Sequence, residues 1–337
     1  MAFFPTERQT CLSAYALTNA STNRIPVQWP LDGTGWLNIR LTFHALIDWT
    51  NAVVVDRHAI YNYLKSISLR TSRGEEILVN VPGRALYHLD SLLDGKPPVH
   101  NIIIGADGTY TGVLDIPLCY NFLNRKEDMI LDSGRYSNIE LIISTGSVLD
   151  FLNDAVGETV AVTMDVEVEK TLATLHADNA GKPIAHTYIR TYNQQVVTAG
   201  FWDLESSLDL GLFGFFAKLQ ATGAPGPFEG AGVDHLTTLT FRDSVRRWLD
   251  GVLPWSMQQE RHQFITFDPS NIYLATPADT EQVVYPQLGI YPHLFVRHGS
   301  INEQYACGKK SLIRLEIGDA TNTDLMDLCV FGFRSLR

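Results

Sequence analysis

The sequence has few cysteines, and their spacing matches neither a disulfide framework nor a zinc site. Only four of the 337 residues are cysteine, and no two of them form a C-x-x-C pair. A chain of this length buries enough apolar surface to fold without covalent or metal cross-links. The sequence therefore predicts reduced, buried thiols at Cys11, Cys119, Cys307 and Cys329.

Long apolar runs are absent as well. The richest run, residues 208–216, is interrupted by Asp209 and two glycines, whereas a membrane-spanning helix needs about 20 apolar residues. No basic stretch followed by an apolar one opens the chain, so we expect no signal peptide. A protein surface that lies against a membrane remains compatible with the sequence.

Positive charge is scarce: 26 Lys and Arg stand against 37 Asp and Glu, for a formal net charge of −11. Proteins that hold duplex nucleic acid need clustered Lys and Arg to displace counterions. We therefore expect no sequence-specific nucleic-acid binding. The densest basic cluster, Arg242, Arg246 and Arg247, is better suited to a salt bridge between subunits.

Motifs of nucleophilic and nucleotide-binding sites are missing too. No G-x-S-x-G elbow occurs, and Glu303 replaces the first glycine of the P-loop-like stretch that ends in Gly308–Ser311. Gly211 and Gly214 lie in an apolar run, which favours glycines within a strand over a cofactor loop. His293 and His298 form neither H-x-H nor H-E-x-x-H, so a cupin-like metal site is not expected.

Two acidic groups leave alternatives open. Asp319, Asn322 and Asp324 could bind calcium in a loop, or form a solvated turn. Glu167 and Glu169 share one face of a predicted strand and could act as an acid–base pair, although a solvent-facing strand explains them as well. We predict a protein that is not an enzyme, with no catalytic, cofactor-binding or metal-binding residues and no cofactor.

What the sequence does contain is a strong two-residue period. From Leu37 to Trp49 every odd position is apolar, and from Val160 to Val168 every even position is. Such alternation is typical of long strands with one buried face. Shorter strands are predicted at Ile67–Leu69, Glu76–Val81, Tyr110–Leu118, Ile139–Ile143, Thr187–Tyr192, Phe264–Tyr273, Leu312–Ile317 and Met326–Phe333.

Two short helices interrupt these strands. Gly83 leads into Leu86, Leu89, Leu92 and Leu93, and Gly95 ends that pattern. Asp243 could cap a second helix, whose apolar residues Val245, Trp248, Leu249 and Val252 have helical spacing before Pro254. Many strands with so few helices predict an all-β protein.

The two halves of the chain repeat a pattern. Leu64, Ile67, Leu69 and Arg70 match Leu236, Leu239, Phe241 and Arg242, and Ile139, Leu141 and Ile143 match Ile313, Leu315 and Ile317. Both matches are separated by about half the chain, as expected of a duplicated unit. We expect an N-terminal extended arm over residues 1–30, a first sandwich over 31–172 and a second over 173–337. A single large β protein with coincidental patterns is the alternative.

Two blocks of the first half resemble a known family. They are Tyr63–Arg70 with Arg73–Leu89, and Leu114–Leu118 with Asp128–Leu131 and Tyr136–Leu141. They are similar to the double-jelly-roll major capsid proteins of tailless icosahedral viruses, the lineage of adenovirus hexon, tectiviruses and corticoviruses. The nearest likeness is to small bacteriophages with an internal membrane.

This resemblance implies two tandem jelly-roll β-sandwiches and a homotrimer, in which six rolls form a pseudo-hexagonal capsomer of the icosahedral shell. It implies partners in the lattice, such as penton or minor capsid proteins, with an internal viral membrane as a further candidate. It places the protein in the virion, and in the host cytoplasm before assembly. It supplies no catalytic residues.

Two other functions fit the same composition. A carbohydrate-binding or carbohydrate-cleaving β-sandwich could use Trp36, Trp49, Trp202 and Trp255 to stack on sugar rings, although Trp at strand positions is more often core. Another virion component, such as a spike or a minor shell protein, is the third hypothesis.

Overall fold

The structure is a computed structural model. It describes residues 5–48, 59–94, 98–99, 108–150, 159–175, 183–196, 199–206, 210–220, 236–242, 247–252, 290–295, 300–301, 305–307, 311–318 and 324–336.

The first half of the chain forms a sandwich of two antiparallel layers. One layer, sheet 1, has the order β1-β9-β3-β6, with the short β7 beside β3. The other layer has the order β5-β4-β8-β2. The strands of this first sandwich are β1 (Thr6–Leu17), β2 (Thr22–Ile25), β3 (Thr34–Asp48), β4 (Leu64–Thr71), β5 (Glu76–Val81), β6 (Gly108–Pro117), β7 (Leu131–Asp132), β8 (Ile139–Thr145) and β9 (Thr159–Thr174).

The second half forms a sandwich of the same kind. One layer has the order β10-β18-β12-β15, with β16 beside β12, and the other layer, sheet 3, has the order β11-β17-β13-β14. Its strands are β10 (Ala185–Val196), β11 (Gly200–Ser206), β12 (Leu210–Gln220), β13 (Leu236–Arg242), β14 (Arg247–Val252), β15 (Ile290–Leu294), β16 (Tyr305–Cys307), β17 (Ser311–Ile317) and β18 (Asp324–Ser335).

The strand orders of the two sandwiches correspond one to one. Replacing β1, β9, β3 and β6 by β10, β18, β12 and β15 reproduces the first layer, and replacing β2, β8, β4 and β5 by β11, β17, β13 and β14 reproduces the second. The repeat found in the sequence lies on corresponding strands, β4 with β13 and β8 with β17. The all-β prediction of two equivalent sandwiches is confirmed.

Residues 1–30, expected to be an extended arm, contribute β1 to sheet 1 and β2 to the opposite layer. The alternation that reveals β3 is missing in β1 because Thr6–Thr10 are all exposed at the edge of the sheet. The last strand of the first sandwich ends at Thr174 and the next begins at Ala185. The division of the chain at residues 30/31 and 172/173 stays a prediction.

Two α-helices lie among the described residues: α1 (Ala59–Tyr63), which was not predicted, and α2 (Gly83–Asp94), which was. The second predicted helix is wrong for its described part, since residues 247–252 form strand β14. Leu249 pairs with Phe241 of β13, so sheet pairing overrides the helical spacing of the apolar residues. The strand predicted at residues 264–273 lies outside the described residues, as do Trp49 and Trp255.

Two hydrophobic cores fill the molecule, and β12 and β18 contribute to both. Their alternate side chains point into the second sandwich (Phe215 and Val330) or toward the first (Phe216 and Phe331). A layer buried on both faces needs nearly continuous apolar strands. This explains the apolar run at residues 210–217, where Gly214 lies in the strand as predicted and a Cβ would be 2.6 Å from the carbonyl oxygen of His293.

Candidate functional site

The two sandwiches are joined by a continuous sheet. β5 and β10 pair in parallel, with Leu78 opposite Ile189 and Val79 opposite Arg190, so the two inner layers form one nine-stranded sheet, sheet 2. The pairing fixes the second sandwich against the first through backbone hydrogen bonds. We call the contacts of β5, α2 and the residues after β6 with β10, β12 and β18 the seam.

Helix α2 forms the centre of the seam. Its apolar leucines pack in the first core, and Arg84 at its first turn reaches β18. Arg84 Nε donates a hydrogen bond to Asp327 Oδ2 at 2.6 Å, and both side chains are largely buried. One turn further along the helix, His88 meets the edge of Phe216 with ring centroids 6.3 Å apart.

The residues after β6 complete the seam. The Tyr120 hydroxyl donates to the carbonyl oxygen of Gly332 at 3.2 Å, and its ring meets Phe213 edge-on at 5.3 Å. The Thr187 hydroxyl donates to the carbonyl oxygen of Leu118 at 2.8 Å. Complete burial raises the pKa of Tyr120 well above its usual value, so the hydroxyl stays protonated and able to donate.

The outer face of sheet 1 is polar and carries cross-strand ion pairs. Arg40 on β3 binds Asp115 on β6 through two hydrogen bonds of 2.7 Å, which raise the pKa of the guanidinium further. His44 lies 3.1 Å from Asp165, which also accepts a hydrogen bond of 2.6 Å from the amide of Ala14. These pairs span all four main strands of sheet 1.

The two carboxylates considered as a glycosidase-like pair belong to the same face. Glu167 lies opposite Arg40 in the register of β9 and β3. Glu169 accepts hydrogen bonds from Thr6 at 3.3 Å and from Arg8 at 3.5 Å. Both carboxylates thus stand among cross-strand partners rather than facing each other across a cleft.

A cavity of about 220 Å³ opens beside these residues, at the end of α2. The charged side chains that line it are three positive and three negative, and Asn38 lies among them: Arg8, Arg40, Lys126, Asp90, Asp115 and Glu169. Asn38 Oδ1 is buried without a hydrogen-bond partner among the described residues. The cavity also borders Cys119, and burial raises the pKa of this thiol to about 11, so it stays protonated rather than forming a nucleophilic thiolate at neutral pH.

The other residues weighed in the sequence are dispersed. Within the described part of the chain, no three His, Cys, Asp or Glu side chains lie close enough to share a metal ion. His293 is buried on β15, whereas His298, the stretch Gly308–Lys310 and Arg246 lie outside the described residues, as do Asp319 and Asn322. Cys11, Cys119 and Cys329 are buried free thiols, as predicted.

Two of the tryptophans considered for sugar stacking are described, and both pack on hydrophobic cores. Trp36 is fully buried, and Trp202 packs against the second core. Trp36 therefore offers no ring face to a ligand, and Trp202 is partly buried by its packing. No described helix reaches the length and apolarity that crossing a bilayer requires.

Comparison with known proteins gives matches in structure only. No protein-family model matches the chain, and no curated protein matches it. The major capsid protein of Sulfolobus turreted icosahedral virus (STIV) superimposes with a TM-score of 0.68 at 12% identity, over 98% of this chain and 97% of that one. The chain has the double-jelly-roll fold.

Two further double jelly rolls support this assignment. The major capsid protein of bacteriophage PM2 gives a TM-score of 0.57 at 10% identity, over 99% of this chain and 98% of that one. A chain of the PBCV-1 virus capsid gives 0.62 at 10% identity, over 98% and 94%. Nearly full coverage of both chains means that the likeness includes both rolls and their relative placement.

Sequence reasoning missed the seam of this double jelly roll. Arg84 and Asp327 are 243 residues apart, and nothing local marks them as partners. The available signal was the apolar character of β12 and β18 on both faces, which indicates a layer covered twice. That signal predicts that another part of the protein covers β12 and β18, but it does not identify the residues that do so.

Proposed function

We propose that this protein is the major capsid protein of an icosahedral virion and builds the shell as trimeric, pseudo-hexagonal capsomers. The observation that carries the proposal is the fusion of two equivalent rolls through one continuous sheet and a buried seam. Such a chain holds two similar β-sandwiches in fixed relative positions, so three copies supply six sandwiches for one capsomer. Rigid walls and broad contacts serve a shell better than a deep pocket does.

The proposal includes partners and location. Copies of the trimer would contact one another in the lattice, and penton or minor capsid proteins would fill the remaining positions. An internal viral membrane is a candidate neighbour on one side of the shell. The protein would reside in the virion, after a stage in the host cytoplasm, and would have no enzymatic activity. A small membrane-containing bacteriophage is the proposed source, in line with the likeness to the PM2 protein.

Light scattering coupled to size-exclusion chromatography tests the proposal. We expect a particle of three times 37.6 kDa that persists on dilution, and negative-stain images with a pseudo-hexagonal outline. Electron microscopy of native particles should then place the protein in an icosahedral lattice. A monomer at all concentrations that binds glycans would contradict the proposal and favour the carbohydrate-binding alternative.

A further inference from the structure

The contact between the rolls of one chain is a template for a contact between chains. Because the strand orders correspond, β1 holds in the first roll the position that β10 holds in the second, and β14 corresponds to β5. Within the chain, β5 and β10 pair. Their counterparts β14 and β1 are end strands of sheets 3 and 1, and no described strand pairs with their outer edges. The amide of Gln28 donates to the carbonyl oxygen of Cys11 in β1 at 3.4 Å, beyond the segment Thr6–Thr10.

The same correspondence applies to the faces of the layers. In the second roll, the outer face of β12 and β18 is covered by the first roll and is apolar, with Phe213 and Phe331 in the first core. The corresponding face of the first roll is the outer face of sheet 1, where Arg40 and Asp115 are only partly buried. The two rolls thus repeat the position of this face, whereas its side chains are more polar than those that cover the contact within the chain.

We propose that the outer edge of β1 and the outer face of sheet 1 bind the β14 edge and the second roll of another copy of this chain, repeating the contact of β5 with β10. Three copies joined head to tail in this way close a ring of six rolls, in which the contacts within and between chains join corresponding strands. The inference rests on the trimer of the proposed function and specifies the strand edges that form it.

The backbone of β1 identifies the groups that would pair. The amide of Leu172 donates to the carbonyl oxygen of Pro5 at 3.1 Å, and Pro5 lies opposite Leu172 in the register of β1 and β9. In an antiparallel pair, hydrogen-bonded positions recur at every second residue, so Glu7 and Gln9 also bond to β9. The residues whose N–H and C=O groups point to the open edge are therefore Thr6, Arg8 and Thr10.

Strand β10 supports this reasoning, because its partner is known. The amide of Leu336 donates to the carbonyl oxygen of Ile184 at 2.8 Å, so even residues of β10 bond to β18 and odd residues point away. The two register pairs with β5 are Ile189 with Leu78 and Arg190 with Val79, and by this alternation the N–H and C=O groups of the odd residue Ile189 face β5. The same alternation of backbone hydrogen bonds that assigns Arg8 to the open edge of β1 thus assigns Ile189 to the edge of β10 that pairs with β5.

The proposed pairing of β1 with β14 would involve only a few residues. Register shifts follow Thr10 in β1, and Ala14 has a φ of 51°, so the second half of the strand is bulged and unsuited to edge pairing. The contact of β5 with β10 involves only two residue pairs, which a five-residue segment can accommodate. The buried, unpartnered Oδ1 of Asn38 lies on the same face and supports a surface that is completed on assembly.

Hydrogen exchange on the wild-type trimer tests the inference without any substitution. We expect the amides of Thr6, Arg8 and Thr10 to exchange at least about tenfold more slowly than those of Thr22 and Arg24. The latter two are matched controls, because β2 is also an end strand and the amide of Thr145 in β8 donates to the carbonyl oxygen of Ser21, which leaves the N–H groups of Thr22 and Arg24 facing away from β8. Equal exchange of the two sets in the trimer would overturn the inference.

A pair of proline variants provides a second test. Thr10→Pro removes one outward N–H from β1, and Thr22→Pro does the same on β2. We expect T10P to raise the concentration of half-dissociation of the trimer about tenfold or more, since each contact loses a hydrogen bond, and T22P to leave it unchanged. If T10P does not fold, hydrogen exchange of the wild-type protein decides.

The outcomes separate the two proposals. A wild-type chain that stays monomeric at every concentration overturns the trimer and the inference together. A stable wild-type trimer whose T10P variant folds and assembles normally overturns the edge contact alone and leaves the proposed function standing.

Discussion

Arg84 Nε lies 2.6 Å from Asp327 Oδ2, and this ion pair joins helix α2 of the first roll to strand β18 of the second. The two side chains are only 14% and 5% exposed. A buried pair of this kind is strongly destabilised when one partner is lost, because the other charge stays buried without compensation. The pair therefore couples the stability of the two rolls.

The first prediction concerns this pair. We expect Asp327→Ala to lower the free energy of unfolding by about 3–5 kcal/mol, because Arg84 loses its buried counter-charge. The double variant Arg84→Met with Asp327→Ala should recover most of that loss, since it removes both charges. Urea denaturation of the two single variants and the double variant measures the coupling energy. Additive effects of the two substitutions would refute a direct interaction.

The second prediction concerns the close approach of β12 and β18 at Gly332. A Cβ on this residue would overlap the carbonyl oxygen of Gly211 on the neighbouring strand. We expect Gly332→Ala to cost about 1–3 kcal/mol of stability, because the strands must separate or shift. Ser335→Ala, at the exposed end of the same strand, is the control and should change the urea midpoint little. Equal midpoints for the two variants would show that β12 can move at no cost.

The third prediction concerns acid stability. Partial burial alone would raise the pKa of Asp32, but hydrogen bonds from Lys170 and Thr34 outweigh it and lower the pKa from 3.8 to about 2. A carboxyl group whose pKa is lower in the folded state contributes stability above its unfolded pKa, and this contribution is lost as the pH falls toward the folded value. The loss should therefore occur between about pH 4 and pH 2.

Urea midpoints at pH 5, 3 and 2 check this prediction. We expect Asp32→Asn to be less stable than the wild type at pH 5, with the difference shrinking toward pH 2. Glu7→Gln is the control, because Glu7 is the more distant partner of Lys170, at 3.5 Å against 2.7 Å for Asp32. A constant difference between D32N and the wild type over this range would rule out the proposed role of the Asp32–Lys170 pair.

Sequence reasoning succeeded where a strand has one buried and one polar face. In β3, Leu41 and Phe43 are fully buried while Arg40 and Thr42 are not, and this contrast is what the period of two reports. The edge strand β1 gave no such signal. Its first residues are exposed on both faces, and what fixes them is pairing with β9, which is about 160 residues away.

Local patterns also misled at β14. The apolar residues from Val245 to Val252 have the spacing of a helix face, yet residues 247–252 join sheet 3. The helical spacing is overridden because the edge of β13 offers backbone hydrogen bonds to residues 247–252, and the sequence pattern of this segment does not reveal that edge. The candidate site was out of reach for the same reason, since the seam consists of pairs such as Tyr120 and Gly332 from opposite halves of the chain.

The last prediction concerns His186, which is buried on β10 beside the seam. Burial lowers the pKa of this imidazole below its usual value of 6.5, and the positive charges of Arg334 and Arg135 act in the same direction, while Glu75 and the carbonyl of Thr187 oppose them. A histidine with a lowered pKa is protonated more readily in the unfolded chain than in the folded one. Its contribution to stability is therefore full above pH 6.5 and declines as the pH falls below that value.

We expect the wild type to lose stability between pH 7.5 and pH 5 more steeply than His186→Gln, because the amide does not titrate in this range. Urea denaturation at several pH values gives the two slopes, and NMR titration of the His186 ring protons reports the pKa directly. Because β10 carries the only described pairing between the rolls' sheets, the protection factor of the Ile189 amide in hydrogen exchange should fall at low pH in the wild type. Identical slopes for the wild type and H186Q would mean that the acid sensitivity arises from another group.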